Sequence, residues 1–358
     1  MKKKLTFLGI ETSCDETAAS IVQENTNSTP RILSNIVSSQ IKEHEKFGGV
    51  VPEIAARTHV ENIDFIIHRA LEKSKKKIED LDGVAATAGP GLIVCLNVGY
   101  NIGKSLAAFG NKPFIPINHL EGHALSPGLE NKISFPYLLL LVSGGHSQFL
   151  IIKDLNNYKQ IGTTIDDAVG EAFDKTAKIL DLGYPGGPNV EKFAKLGDKN
   201  SYNLPQPIIN RSGCNLSLAG LKTDVLRKSK KIKSKQDKYN LAASFQETIN
   251  KILRKKTEVA MNSFRKEISD NSIKSFVVAG GVAANETIRK NLEELCKKNN
   301  FKPIFPSKEF CGDNAAMIAW AGIQRYKKKL FNIEDNIVKS RWPLDKEAPF
   351  LKGPGLKL

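Results

Sequence analysis

Two histidines near the middle of the chain have the spacing of metal ligands. His119 and His123 are two of the chain's six histidines, and both lie in residues 118–127. On an α-helix, residues i and i+4 lie one above the other on the same face, so both imidazoles can reach one point. Histidine is the commonest protein ligand of divalent transition metals. The spacing therefore predicts part of a metal site or, in the plainer interpretation, two surface histidines on a short helix.

The nearest acidic residue argues against a protease site. A metallopeptidase motif reads His-Glu-x-x-His, and here Glu121 comes one position too late. Two ligands do not complete a metal site, so a third must come from elsewhere in the chain. Peptidase chemistry stays open as an alternative at this point.

The composition indicates a globular protein with a polyanionic partner. The chain has 358 residues, of which 41% are hydrophobic and 25% charged, and its formal net charge is +15. Such an excess predicts contact with nucleic acid, although codon bias in an AT-rich genome would also enrich lysine. The densest basic stretches are residues 227–235 and 254–256.

Cysteine usage and hydropathy favour the cytoplasm. The five cysteines form no C-x-x-C pair and leave an odd one over, which argues against a disulfide framework or a zinc knuckle. The first apolar run ends at Glu11, which is too short for a signal peptide. No run approaches the roughly 18 apolar residues of a membrane span. We therefore expect a soluble, cytoplasmic protein with no membrane partner.

The elements around the histidine pair follow an α/β pattern with an internal repeat. Residues 5–22 predict two strands joined by a small polar turn, and residues 137–152 repeat this plan. We interpret the pair as duplicated hairpins of two lobes, whose turns face a shared cleft.

The turns are candidate binding sites. In the first turn, backbone N–H groups can hold a phosphate and carboxylates can meet a cation or a proton, although an ordinary acidic turn is the alternative. In the second turn, Gly144 and Gly145 let the backbone approach a ligand and present amides to an anion. A third glycine turn, residues 279–285, leads into a helix, and Asn285 near that helix start favours a nucleoside site.

Other segments have ordinary structural explanations. Residues 164–175 predict a capped helix that carries Asp174, and residues 184–188 predict a rigid loop. His59 is predicted to lie on a helix surface. Asp313, taken alone, is best explained as a helix N-cap.

Several motifs are more specific than these patterns. In chain order they are GIETSCDET, GGVVPEIAAR, TAGPGL, NHLEGH, LVSGGHS, DDAVGEAFDK, YPGGP, AGGVAAN and CGDNAAMIAW. Together they resemble the tRNA adenosine threonylcarbamoyltransferase family of the bacterial TsaD type, from about residue 5 to residue 326. The resemblance implies a two-lobed α/β fold of the actin/Hsp70/sugar-kinase superfamily, with a duplicated β-hairpin-plus-helix core and a central cleft. We expect residues 1–120 and about 306–327 in one lobe, residues 121–305 in the other, and residues 328–358 as a C-terminal tail.

The resemblance also implies an activity. Members of the family transfer the threonylcarbamoyl group from threonylcarbamoyl-adenylate to the exocyclic N6 amine of the adenosine next to the anticodon, in tRNAs reading ANN codons, and release AMP. The implied partners are tRNA, the adenylate, a paralogous subunit and a small ATPase; a homodimer, as in the mitochondrial type, is the other arrangement. The absence of a transit peptide favours the bacterial setting. A metallopeptidase and a nucleotide-switched, chaperone-like scaffold are the alternative functions.

Site residues follow from the resemblance position by position. His119 and His123 match the family's paired metal ligands and Asp313 matches the third, which implies one divalent metal per subunit, iron(II) preferred and zinc possible. The implied substrate-binding positions are Leu141, Val142, Ser143, Gly144, Gly145, Asp174, Gly187 and Asn285. Asp15 and Glu16 are the candidates for the catalytic base that accepts the amine proton.

Overall fold

The chain forms two compact units. The computed structural model describes residues 4–25, 29–269, 274–331 and 337–348. The first unit comprises Met1–Ile133 and Pro306–Leu344, and the second comprises Ser134–Phe305 and Asp345–Leu358. The first unit thus continues past residue 120, the boundary expected from the sequence. Within the described residues, no helix has both the length and the apolar character needed to cross a membrane.

A five-stranded sheet forms the centre of the first unit. Its strands are β1 (Thr6–Glu11), β2 (Glu16–Gln23), β3 (Arg31–Ser39), β4 (Gly83–Gly89) and β5 (Phe114–Asn118). The strand order is β3-β2-β1-β4-β5. Strands β1 to β3 pair antiparallel, whereas β4 pairs parallel with both β1 and β5. Every residue of β1 and β4 is buried, as expected for central strands that are covered on both faces.

Helices cover both faces of this sheet. Numbered along the whole chain, they are α1 (Ile41–Glu45), α2 (Pro52–Ser74), α3 (Ile93–Phe109), α4 (His119–Leu125) and α10 (Ala315–Lys327). Isoleucines of α2 pack with Leu8 and Ile10 of β1 in one apolar core. Helix α10 lies so close to β1 that a Cβ at Gly9 would be 2.2 Å from the carbonyl oxygen of Ala315. Only glycine at position 9 permits this approach.

The second unit repeats the topology of the first. Its strands are β6 (Tyr137–Val142), β7 (Ser147–Asp154), β8 (Asn157–Thr163), β9 (Lys274–Ala279) and β10 (Phe301–Ile304). Their order is β10-β9-β6-β7-β8, with an antiparallel β6-β7-β8 meander and parallel β9 and β10. Its helices are α5 (Val169–Ile179), α6 (Gly186–Ala194), α7 (Ala219–Ser229), α8 (Lys235–Glu267) and α9 (Glu286–Lys298). The matching strand orders confirm the predicted duplication and the α/β fold class of the two units.

Two predicted element boundaries are wrong for local reasons. Helix α5 begins at Val169 and not at residue 164, because the Asp166 carboxylate caps a different helix: its Oδ1 accepts from the backbone N–H groups of Leu218 (2.7 Å) and Ala219 (3.2 Å) at the start of α7. The predicted loop 184–188 is cut short because Gly186 already belongs to α6.

Part of the predicted C-terminal tail packs on the first unit. The backbone N–H of Lys339 donates to the Ala88 carbonyl (2.7 Å), and the Asn118 side chain donates to the Trp342 carbonyl (2.9 Å). Residues 339–342 therefore contact both the end of β4 and the start of α4. Residues 332–336 and 349–358 of the predicted tail lie outside the described part of the chain.

Candidate functional site

Helix α4 brings the two histidines together. It begins directly after β5, where Asn118 Oδ1 accepts hydrogen bonds from the N–H groups of Leu120 (2.9 Å) and Glu121 (3.4 Å). All residues of the helix are buried. The rings of His119 and His123 lie 4.7 Å apart between centroids, as residues i and i+4 on one helical face should.

Asp313 meets both rings from the loop before α10. Its Oδ1 lies 3.0 Å from Nε2 of His123 and 3.5 Å from Nε2 of His119. The interpretation of Asp313 as an N-cap is wrong, because Asn314 caps α10 through a 3.1 Å hydrogen bond from the Met317 N–H. The Asp313 carboxylate is thereby left to face the histidines.

These three residues fit a divalent metal. One ligand atom from each of His119, His123 and Asp313 can be chosen so that all lie within 4.8 Å of one another. Two imidazole nitrogens and a carboxylate oxygen suit zinc and iron(II), and such a set leaves coordination positions open for a substrate. The Nδ1 atom of His123 is buried with no hydrogen-bond partner among the described residues, whereas Nε2 of the same ring lies 3.0 Å from Asp313 Oδ1.

Glu11 supports the site and was missed by the sequence analysis. It is fully buried at the end of β1, and its Oε2 lies 3.0 Å from Nδ1 of His119. Thr87 Oγ1 and the Ser13 N–H also donate to its carboxylate, each at 2.5 Å. Burial alone would raise the pKa of Glu11, but the His119 imidazole outweighs that effect and lowers it. No spacing rule points to Glu11, because its partner lies in another element.

Electrostatics link His119 and Asp313. Burial alone would lower the pKa of His119, but the charges of Asp313 and Glu11 raise it well above the usual value. The pKa of Asp313 is held far below its usual range, because His119 and His123 offset the cost of burying the carboxylate. Without a bound cation, the cluster therefore stabilises a protonated imidazole beside ionised carboxylates.

The two candidate catalytic carboxyls belong to the same charged region. Burial raises the pKa of Glu16 well above its usual value, and the negative charges of Asp313 and Asp15 raise it further. The Asp15 side chain is also hydrogen-bonded to Glu16. These effects favour the neutral, protonated form of Glu16. The catalytic role of either residue stays a prediction.

His59 holds the loop that carries Asp15. The side chain is fully buried, so the predicted position on a helix surface is wrong. Its Nε2 donates to the Cys14 carbonyl (3.0 Å), which leaves Nδ1 to accept from Thr17 Oγ1 (2.7 Å). The pKa of His59 is lowered, chiefly by burial. A neutral imidazole with one donor and one acceptor matches this pair of partners.

Glu121 forms an ion pair with Arg325 of the first unit. Its Oε2 accepts from Nε of Arg325 at 3.0 Å, and both side chains are nearly buried. The pair joins α4 to α10, so Glu121 contributes to helix packing. A peptidase general base would instead face the histidine pair.

In the second unit, the predicted substrate loop is an open turn at the end of β6. Leu141 and Val142 are the last residues of the strand, and the backbone N–H of Ser143 closes the turn onto the His146 carbonyl (2.8 Å). A Cβ placed at Gly144 or Gly145 would meet no atom within 4 Å. The two glycines are therefore not required by packing.

The third glycine turn packs against this loop within the same unit. Gly280 has φ +97, and a Cβ there would lie 2.3 Å from the Val142 carbonyl oxygen, so glycine is required. Asn285 caps α9 through a 3.0 Å bond from the Ile288 N–H, and its Nδ2 donates to Gln246 Oε1. Asn285 thus has a structural role, and its substrate-binding role stays a prediction.

Asp174 and Gly187 lie on neighbouring helices of the second unit. Asp174 is on α5, and its Oδ1 accepts from the Gly186 N–H (2.9 Å) at the start of α6. A Cβ at Gly187 would meet no atom within 4 Å, so this first turn of α6 offers open backbone. The substrate-binding roles of these positions stay predictions.

Relatives with the same description match the whole chain. A sequence model of the family described as tRNA N6-adenosine threonylcarbamoyltransferase matches residues 31–320. A protein of that name from Pelagibacter ubique (strain HTCC1062) is 60% identical over 100% of both chains. One from Brucella anthropi is 51% identical over 98% of each.

A solved structure supports the fold alone. The crystal structure of T. kodakarensis HypF is similar with a TM-score of 0.63 over 93% of this chain and 49% of that chain, at 14% sequence identity. The motifs, the converging histidines and aspartate, and the full-length relatives agree. The chain belongs to the tRNA N6-adenosine threonylcarbamoyltransferase family.

Proposed function

We propose that this chain transfers a threonylcarbamoyl group to the N6 amine of an adenosine in tRNA, next to the anticodon in tRNAs reading ANN codons. One structural observation carries the proposal. His119 and His123 on one helix and Asp313, 190 residues beyond His123, place ligand atoms within 4.8 Å of one another. Family membership favours this activity over a metallopeptidase or a chaperone-like scaffold.

His119, His123 and Asp313 would hold one divalent ion, iron(II) by preference and zinc as the alternative. When bound, such an ion supplies positive charge that can hold and polarise an oxygen of the transferred group. Glu11 orients the His119 ring for this purpose through its 3.0 Å contact with Nδ1.

The proposed donor is threonylcarbamoyl-adenylate, with AMP as the leaving group. The open turn at Gly144 and Gly145 supports this choice, because exposed backbone amides without side-chain obstruction suit a phosphate. In the reaction, the adenosine N6 forms a bond to the carbamoyl carbon. The bond from that carbon to the phosphate oxygen breaks, and AMP departs.

The amine proton must go to a base in the first unit. An adenosine amine is a poor nucleophile, so positioning against an activated carbonyl carries much of the rate. Among the two candidates, the raised pKa of Glu16 favours it as the carboxyl that holds a proton. Asp15, hydrogen-bonded to it, is then the better candidate to accept the proton.

The proposed partners are tRNA, a paralogous subunit and a small ATPase, in the cytoplasm. The formal charge of +15 supports a polyanionic substrate. Five cysteines without a disulfide among the described residues suit a reducing compartment.

Reconstitution tests the proposal. Purified protein is incubated with unmodified tRNA, threonine, bicarbonate and ATP while candidate partner proteins are added one at a time, and tRNA nucleosides are analysed by mass spectrometry. We expect threonylcarbamoyladenosine with the complete set, and its loss in His119→Ala. The matched control is His68→Ala, which removes an exposed histidine outside the cluster. Failure of transfer with metal-loaded protein, all partners and pre-formed adenylate contradicts the proposal; peptide cleavage under these conditions would revive the peptidase alternative.

A further inference from the structure

A positively charged groove lies on the second unit, between α8 and α9. Its volume is about 250 Å³. Helix α8 contributes Asn250, Lys251 and Arg254, helix α9 contributes Lys290, and Lys199 follows α6. These residues lie outside the turns discussed above, and the groove has no assigned role.

Cations exceed acids along the groove. Four lining residues are cationic and two, Glu247 and Glu294, are acidic, which leaves a formal charge of +2. Glu247 lies 3.5 Å from Nζ of Lys199 and 3.9 Å from Nζ of Lys251, and the two lysine side chains are 61% and 54% exposed. Such solvent-exposed pairs are weak and exchange readily for another anion. The groove therefore favours a negatively charged ligand.

Arg254 is fixed in position. Its Nη1 donates to the carbonyl oxygen (3.0 Å) and the side-chain Oδ1 (2.9 Å) of Asn291 on α9. Because one edge of the planar guanidinium is held, the orientation of its remaining donors is set before a ligand arrives. Pre-organised guanidinium groups suit phosphate oxygens.

Asn250 indicates that the ligand carries a second chemical group, a hydrogen-bond donor. The residue is 5% exposed, lines the groove, and its Oδ1 is buried with no hydrogen-bond partner among the described residues. A buried amide oxygen without a partner costs free energy that a ligand donor would recover. A phosphodiester anion has no proton to donate, so a phosphodiester ligand needs a hydroxyl or an amine beside its negative charge.

The geometry points to a ribose–phosphate unit of RNA: we propose that this groove binds the backbone of the tRNA. Phosphate oxygens would accept from the lysines and Arg254, and a ribose 2′-hydroxyl would donate to Asn250 Oδ1 once that side chain turns toward the groove. The 2′-hydroxyl is the group that distinguishes RNA from DNA. The inference rests on the proposed function in that tRNA is the substrate.

Only part of the basic stretch at residues 254–256 lines the groove. Within this stretch, Lys256 is buried. Its Nζ donates to the carbonyl oxygens of Arg211 (2.9 Å) and Gly213 (3.2 Å), which fixes that loop. Arg254 is the member of the stretch that lines the groove.

Salt-dependent binding tests the phosphate contacts. Binding of unmodified tRNA to the full-length, metal-loaded chain is measured from low to physiological salt, without adenylate. We expect the triple variant Lys199→Gln/Lys251→Gln/Lys290→Gln to reduce the slope of log K against log salt by about 1 per lysine. The control Lys178→Gln/Lys298→Gln/Lys302→Gln removes equal charge from exposed lysines of the same unit that do not line the groove. Equal changes in both variants would overturn the proposal.

Asn250→Leu tests the ribose contact. The substitution removes a buried amide and keeps a similar volume, and circular dichroism checks that the variant folds. We expect the preference for an RNA hairpin over the same sequence in DNA to fall roughly fivefold, the loss of one hydrogen bond. An unchanged preference would overturn the ribose assignment. If inorganic phosphate or AMP binds in the groove and the triple variant binds tRNA as the wild type does, the groove is a site for a small ligand. That result would overturn the RNA proposal.

These measurements separate the inference from the proposed function. Binding is measured without chemistry, so loss of threonylcarbamoyl transfer does not change it. With transfer intact, the triple variant is expected to raise KM for tRNA and leave kcat unchanged, because no groove residue belongs to the proposed catalytic set. If threonylcarbamoyl transfer fails but tRNA binding still depends on the groove lysines, the result contradicts the proposed function and leaves the proposed groove in place.

Discussion

The Nδ1 atom of His119 lies 3.0 Å from Oε2 of Glu11, although 108 residues separate the two in sequence. An ionised carboxylate only accepts hydrogen bonds, so Nδ1 carries the proton. The other ring nitrogen, Nε2, lies 3.5 Å from Asp313 Oδ1. Glu11 thus selects the tautomer and the orientation that a metal ligand needs at Nε2 of His119, whereas Nδ1 of His123 has no such partner among the described residues.

Removal of the Glu11 charge is expected to weaken metal binding without removing a ligand. In Glu11→Gln, the single remaining oxygen can still accept from Thr87 Oγ1 and His119 Nδ1, which share Oε2 in the wild type, but its attraction for the His119 N–H is weaker and the Ser13 N–H loses its acceptor. We expect metal affinity to fall about 10- to 100-fold, measured by competition with a chelator. Glu53→Gln, at an exposed position, is the control. Unchanged affinity in Glu11→Gln would refute the supporting role.

Neighbouring substitutions at positions 313 and 314 should separate ligation from capping. Asp313→Asn removes a carboxylate that raises the pKa of His119, so we expect that pKa to fall in metal-free protein and metal affinity to be lost. Asn314→Ala removes the cap of α10 and should cost about 1 kcal/mol of stability. NMR titration of the histidines and metal analysis distinguish the two. If Asp313→Asn leaves the His119 titration where it was, the electrostatic coupling is wrong.

The ion pair between Glu121 and Arg325 should matter for folding more than for chemistry. Arg325→Met leaves the nearly buried Glu121 carboxylate without this partner, and breaking a buried pair typically costs about 3–5 kcal/mol. We expect a comparable loss in the free energy of unfolding, partly recovered in Arg325→Met/Glu121→Leu. The control is Lys195→Met, from an exposed pair with Glu286, where about 1 kcal/mol or less is expected. Equal effects of the two single substitutions would show that burial does not strengthen the pair.

Features that depend on local spacing were predicted correctly from the sequence. Contacts between side chains of different elements were not predicted. The i, i+4 pair at His119 and His123 and the duplicated hairpins follow from periodicity, and both occur. Asp313 could be recognised only through a motif, because its local pattern equally predicts an N-cap. Glu11 and His59 acquire their partners from other elements, so no local rule identifies them. Asp166 illustrates the same limit, since its carboxylate caps α7 and so delays the start of α5.

Acid should destabilise the second unit through Asp167. This carboxylate is 2% exposed and lies 3.0 Å from Nζ of Lys175 and 2.7 Å from Nζ of Lys222. Burial alone would raise the pKa of Asp167, but the hydrogen bonds and charges of Lys222 and Lys175 outweigh that effect and lower it below its usual value. A carboxyl whose pKa is lower in the folded state contributes stability above its unfolded pKa of about 3.9, and this contribution is lost as pH falls through the folded pKa.

Asp167→Asn should therefore be less stable than the wild type at neutral pH, and the difference should narrow as the pH falls below about 4. Urea unfolding followed by circular dichroism between neutral and acidic pH measures both curves. The comparison variant is Asp181→Asn, whose carboxylate is 95% exposed and 3.8 Å from Lys238. Its curve should stay close to that of the wild type at every pH, since an exposed pair contributes little. Parallel curves for the wild type and Asp167→Asn down to the acid limit would show that the two lysines do not stabilise the ionised form.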